Sequence, residues 1–217
     1  MRLRLPSVIV MICLFAYGCV GSNEYSLPQA VSVSIDSTPF IVSAPKGFCV
    51  DQTSAKKTRN IMTVFIVNCV DLGNSWNQSL GRRPISALLS ATVAVRDDKG
   101  DIVKELYNFF SNKKGGSRYL SASQELETKL LRSELVDGML FLYLEKNSEN
   151  AIYGQKPRFA RLFFVFDNKL VSLHIANFSN QYNSLKPIRR LAIDFAFGIR
   201  AANEKATLVQ KFEKEKK

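Results

Sequence analysis

A single histidine, His174, stands in this 217-residue chain, and no two cysteines are spaced Cys-x-x-Cys. One imidazole cannot build a multi-histidine metal site, and no cysteine or carboxylate cluster has ligand spacing. Neither a metal nor a cofactor is therefore expected. The Gly-x-x-x-x-Gly-Lys-Ser/Thr phosphate loop is missing, as is the Gly-x-Ser-x-Gly elbow that would mark a hydrolase. No internal repeat is visible. The apolar run Val8–Ala16 would span about 14 Å as a helix, against about 30 Å of bilayer hydrocarbon. It is too short for a good transmembrane anchor.

What that run does have is context. Arg2 and Arg4 precede it, and Gly18-Cys19 closes it. This is the three-part layout of an export signal, and it resembles bacterial lipoprotein signals, with Cys19 in the lipid-bearing position. Ala16 and Tyr17 depart from the usual Leu-Ala-Gly-Cys pattern. Two alternatives stay open, cleavage after Gly18 without lipid and an uncleaved anchor.

Cysteine arithmetic favours lipidation. Of Cys13, Cys19, Cys49 and Cys69, the first leaves with the signal. A lipidated Cys19 then leaves Cys49 and Cys69 as an even pair in an oxidising compartment. Val20, Gly21 and Ser22 follow, with no Asp beside the cysteine. In enteric bacteria that resembles a lipoprotein passed on to the outer membrane, and the expected place is the cell envelope, facing the periplasm.

The expected layout is a signal peptide over 1–18, a lipid-anchored tether over 19–30, one domain over 31–203 and a charged tail over 204–217. Losing the signal lowers the formal charge from +11 to +9. The basic residues fall in separate groups, such as Lys56-Lys57-Arg59, Arg82-Arg83 and Arg189-Arg190. With no nucleic-acid-binding motif in an exported chain, nucleic acid is not expected as a partner. An anionic lipid surface, an acidic envelope polymer or an envelope protein suits this charge, since each Lys or Arg near anionic headgroups adds about 1 kcal/mol of attraction. A solvated basic surface is the plainer alternative.

Periodicity gives the elements. Val31, Val33 and Ile35 alternate with polar residues. Ile61–Val70 and Ser86–Val95 read as strands, and the polar segment 51–60 before the first carries helix-start chemistry at Asp51 or Thr53. Asp101 should cap a helix with an apolar stripe of Ile102, Leu106, Phe109 and Phe110. Residues 121–135 carry a helix capping box at Ser121-x-x-Gln124, yet Asp137-Gly138 marks a hairpin, which is preferred, with Met139–Leu144 as its second strand. Asp167-Asn168-Lys169 marks another, between Phe159–Phe166 and Leu170–Asn177. Ser184–Asn203 reads as a long helix whose stripe of Leu185, Ile188, Leu191, Ala192, Phe195 and Ile199 is widened by Ile193 and Phe197. The sum is an α+β fold, a mainly antiparallel sheet with a middle helix and a long C-terminal helix packed on it.

This order resembles the Mog1/PsbP-like fold, a group that includes envelope lipoproteins such as DcrB and LpqN. The shared features are Pro-Lys-Gly-Phe at 45–48 leading into a strand, a middle helix, late hairpins and a closing helix. The resemblance implies a binding or accessory role, and no functional residue is carried over from it.

Cys49 and Cys69 are expected to form a structural disulfide, with free thiols or a redox pair as alternatives. His174 could serve a secreted hydrolase as general base, or sit as a satisfied strand residue. Lys113–Arg118 could wrap an anion, and Trp76 could anchor a partner or cap the core. Glu125, Glu127 and Glu134 invite an acid–base pairing but suit exposed positions equally well. Asn77 and Asn177 match glycosylation acceptors, which matter only in a eukaryotic host.

Overall fold

A computed structural model describes residues 28–58, 60–73, 86–97, 100–112, 128–146 and 155–215. It is an α+β fold, mostly antiparallel sheet with a few helices. Strand β1 (Ala30–Ile35) and strand β2 (Thr38–Ser43) form a separate hairpin. Among the described residues the main sheet has seven strands. They are β3 (Phe48–Lys57), β4 (Ile61–Asn68), β5 (Ala87–Val95), β6 (Thr128–Val136), β7 (Met139–Lys146), β8 (Arg158–Phe166) and β9 (Lys169–Asn177), in the spatial order β3-β4-β5-β9-β8-β7-β6.

The turns follow local chemistry. Asp36 and Ser37 at β1–β2 take φ of 51° and 60°, and Asp137 and Gly138 at β6–β7 take 49° and 70°. Paired positive φ values match the right-handed twist of flanking strands. Pro-Lys-Gly-Phe proves to be a turn leading into β3: Phe48 N–H donates to the Pro45 carbonyl at 3.0 Å, with Gly47 at φ +86°.

Three α-helices lie among the described residues, α1 (Cys69–Gly73), α2 (Ile102–Ser111) and α3 (Leu185–Glu215). The Asp101 carboxylate accepts from Lys104 N–H at 3.1 Å, capping α2 as expected. Helix α2 buries Val103 and Phe110 with Leu140, Leu142, Leu144 and Phe159, while Phe109 of its expected stripe is 41 % exposed. Ile188, Leu191, Ala192, Phe195, Ala196 and Ile199 of α3 pack on the opposite sheet face, among Leu89, Leu162, Leu173 and Ile175.

The β1–β2 hairpin joins α3 on that face, contributing Val33, Ile35, Phe40 and Val42 to its core. Asn203 ties the two together. Its amide nitrogen donates to the Ile41 carbonyl (2.8 Å) and its oxygen accepts from Ile41 N–H (2.9 Å). The side chain thus pairs with β2 as a neighbouring strand would.

Three expectations change. The segment after Cys49 continues β3 and is not a helix start, because it resumes pairing with β4 at Lys56 and Lys57 beyond a register shift, where the Asp51 carboxylate accepts from Thr53 N–H (3.0 Å) and Oγ1 (2.7 Å). The strand Ile61–Val70 ends at Asn68, whose side chain accepts from Val70 N–H (3.0 Å) and starts α1. Helix α3 continues twelve residues past Asn203, and Phe197, expected in its packed stripe, is 44 % exposed.

Candidate functional site

Cys19 and the whole signal segment lie outside the described residues, as do Trp76, Asn77, Lys113–Arg118, Glu125 and Glu127. Cys49 lies on β3 and Cys69 opens α1, with their sulfurs 2.02 Å apart and their Cα atoms 4.8 Å apart. Asn177 is fully buried at the end of β9, accepting from Ser179 N–H at 3.0 Å, and so is not presented as a glycosylation acceptor. No helix among the described residues is long and apolar enough to cross a membrane. None of their His, Cys, Asp and Glu side chains group in threes that could hold a metal ion.

Two grooves are lined by described residues. One, of about 690 Å³, lies where the Asp137-Gly138 and Asp167-Asn168 turns meet the start of α2, and mixes Arg96 and Lys104 with Asp101. The other, of about 560 Å³, runs between β6 and the first turns of α3. Glu134 lies in it between Arg132 (3.0 Å) and Arg189, with which it forms a close ion pair. Burial pushes the Glu134 carboxyl up, but the hydrogen bonds and charges of Arg189 and Arg132 outweigh it and hold the group below the usual carboxylate range. The arginines of this groove are therefore engaged.

A different situation holds on the face of the sheet away from α3. Residues directly opposite on neighbouring strands share a face. One such row crosses the whole sheet: Asp51, Phe65, Ser90, His174, Arg161, Leu142 and Ser133. His174 and Arg161 stand side by side at its centre, flanked by Ser90. The Phe159 ring lies 5.4 Å from the imidazole. Ser172, facing Phe163 and Thr92, belongs to the adjacent row of the same face.

The electrostatics of this pair are unbalanced. His174 Nδ1 is buried with no hydrogen-bond partner. Burial, with Arg161 and Lys146 adding repulsion, pushes its pKa down to about 4, so the ring is neutral at pH 7. Arg161 makes no ion pair or hydrogen bond among the described residues, whereas the other described arginines have partners. Arg132 and Arg189 share Glu134, Arg158 meets Glu145 at 3.1 Å and Arg190 meets Asp194 at 3.7 Å. Arg96 donates to the Gly100 carbonyl (2.7 Å), and Arg200 to the Asp137 carbonyl (3.1 Å) while stacking on Phe164.

The Ser–His–carboxylate arrangement that a hydrolase reading of His174 requires is not formed among the described residues. Asp51 is the carboxylate of this row, and it lies on the edge strand beyond Ser90 and Phe65, engaged with Thr53. Sequence reading singled out His174 but missed Arg161, because the β8–β9 and β5–β9 registers that join Arg161, His174 and Ser90 leave no trace in local spacing.

The class defined by this architecture is an antiparallel sheet covered by a long closing helix on one face and a shorter helix on the other. Solved structures similar to it include the cyanobacterial PsbP (CyanoP) of Synechocystis sp. PCC 6803. That likeness has 11 % identity and a TM-score of 0.44, covering 83 % of this chain and 98 % of the other. The Ran-binding protein Mog1p of Saccharomyces cerevisiae matches at 12 % identity and a TM-score of 0.44, over 79 % and 93 % of the two chains. The extracellular domain of PknH from Mycobacterium tuberculosis matches at 8 % identity and a TM-score of 0.37, over 80 % and 83 %. No family model and no curated protein matches the sequence.

Proposed function

We propose that this is an exported, lipid-anchored protein of the bacterial cell envelope with a binding or accessory role. The observation that carries the reading is the Cys49–Cys69 pair at bonding distance. An even, paired set of cysteines suits an oxidising compartment, and it leaves Cys19, behind a short charged-then-apolar leader, as the odd thiol with a chemical role of its own. Lipid on Cys19 would hold the folded part at the membrane through the short tether 19–30.

Intact-mass measurement of the protein extracted from membranes tests this. The expected species begins at Cys19 and is heavier than its sequence by the mass of its acyl groups. A species starting at residue 19 without added mass, recovered from the soluble fraction, would make it a secreted protein. Membrane association that persists in Cys19→Ala and weakens with salt would place the contact on the basic surface instead.

A further inference from the structure

We propose that the Arg161–His174 strip, with Ser90 and Ser172 beside it, is a binding site for a phosphate-class oxyanion. Four observations converge on it. Arg161 is half-buried and, among the described arginines, stands without an ion pair or hydrogen bond. Its ladder neighbour His174 carries a buried ring nitrogen with no partner. The charges bearing on that nitrogen are Arg161 and Lys146, both positive. The described carboxylates on the elements that form or cover this face are turned elsewhere: Asp51 is engaged with Thr53 at the sheet edge, Glu134 and Glu145 pair with Arg189 and Arg158, and the exposed Glu105 lies in the first turn of α2.

A half-buried guanidinium without a protein acceptor has its donors available to a ligand, and the unpaired buried imidazole nitrogen beside it carries a desolvation cost. One occupant serves both. A tetrahedral oxyanion accepts two N–H bonds from the Arg161 fork and has oxygens left for the hydroxyls of Ser90 and Ser172. Its negative charge reverses the local field, so His174 can take up a proton and donate as well. The phosphate group has two sources in keeping with an envelope protein, the free ion and a phospholipid headgroup.

His174 is the chain's only histidine, so its imidazole C–H resonances report on this site alone in full-length protein prepared without a histidine tag. Sodium phosphate added at constant ionic strength, against sodium chloride, should shift those resonances saturably. It should also raise the His174 apparent pKa by at least one unit, which corresponds to about tenfold tighter binding of phosphate to the protonated ring. Arg161→Gln should abolish the response while melting no lower than the parent, since it breaks no ion pair. Arg161→Lys, which keeps the charge but not the fork, should retain a weakened response. A phosphate-dependent rise in the parent's melting temperature gives a readout free of variants.

Phosphatidylglycerol vesicles form the second arm. A response to vesicles without one to free phosphate assigns the site to a headgroup, and the reverse assigns it to the free ion. Resonances that respond to neither, or an Arg161→Gln variant that responds as the parent does, overturn the proposal. It deepens the binding role proposed above, but its failure would leave the export and anchoring reading standing, since that is decided at Cys19.

Discussion

At the residue scale, two polar side chains carry measurable consequences, His174 and Asn203. The His174 pKa is about 4 in the folded state, against an ordinary value near 6.5 when unfolded. Between those values the unfolded chain binds the proton more readily, so stability falls as pH drops from 6.5 towards 4 and this group adds no further loss below it. The loss reaches at most about 3 kcal/mol. Urea midpoints for the parent and His174→Gln in phosphate-free buffer should diverge over this window, with the parent the steeper. Asn203 is the other exception, and Asn203→Leu strands the N–H and C=O of Ile41. A cost of about 1 kcal/mol is expected for these part-buried backbone groups left unpaired, with faster amide exchange at Ile41 as the local signature.

At the element scale, α3 separates packing from exposure within a single turn. Phe195 is fully buried and Phe197 is 44 % exposed. Phe195→Ala should cost about 3–5 kcal/mol by leaving a cavity, and Phe197→Ala should stay within about 0.5 kcal/mol; chemical denaturation of the two variants distinguishes them. Both hairpins of the second half and α2 were legible in the sequence because their signals are local: Asp137-Gly138 at the turn, the Asp101 cap, the period of two along 170–177. The continuation of β3 was hidden because Asp51 makes the same short-range hydrogen bonds at a strand irregularity as at a helix start. The extension of α3 was half legible: the segment after Asn203 is helical in propensity, but its exposed Leu208 and Val209 continue no packed stripe and so read as a frayed tail. The site was half legible. A lone histidine draws notice in any sequence, whereas its arginine neighbour is fixed by pairing between strands whose order only the folded sheet defines.

At the scale of the whole molecule, one covalent link is proposed, between Cys49 and Cys69, twenty residues apart. Closing a loop of that size stabilises by about 3 kcal/mol in the chain-entropy model. A reducing agent should lower the denaturation midpoint accordingly, and the double variant Cys49→Ser/Cys69→Ser should match the reduced parent. An unchanged midpoint would identify the pair as free thiols.

The strand order also divides the sheet into two meanders, β3-β4-β5 and β6-β7-β8-β9, each built from sequence neighbours and meeting along the β5–β9 seam. Helix α2 belongs by sequence to the first half, yet it packs on β6, β7 and β8 of the second. Helix α3 belongs to the second half, yet it holds β2 of the first through Asn203. Each half therefore holds an element of the other, although α3 also packs on β7, β8 and β9 of its own half. Neither should fold by itself, but a chain opened between α2 and β6 should reassemble when its two pieces are produced together. In two intact copies, the same reciprocity is the geometry that an exchange of halves requires.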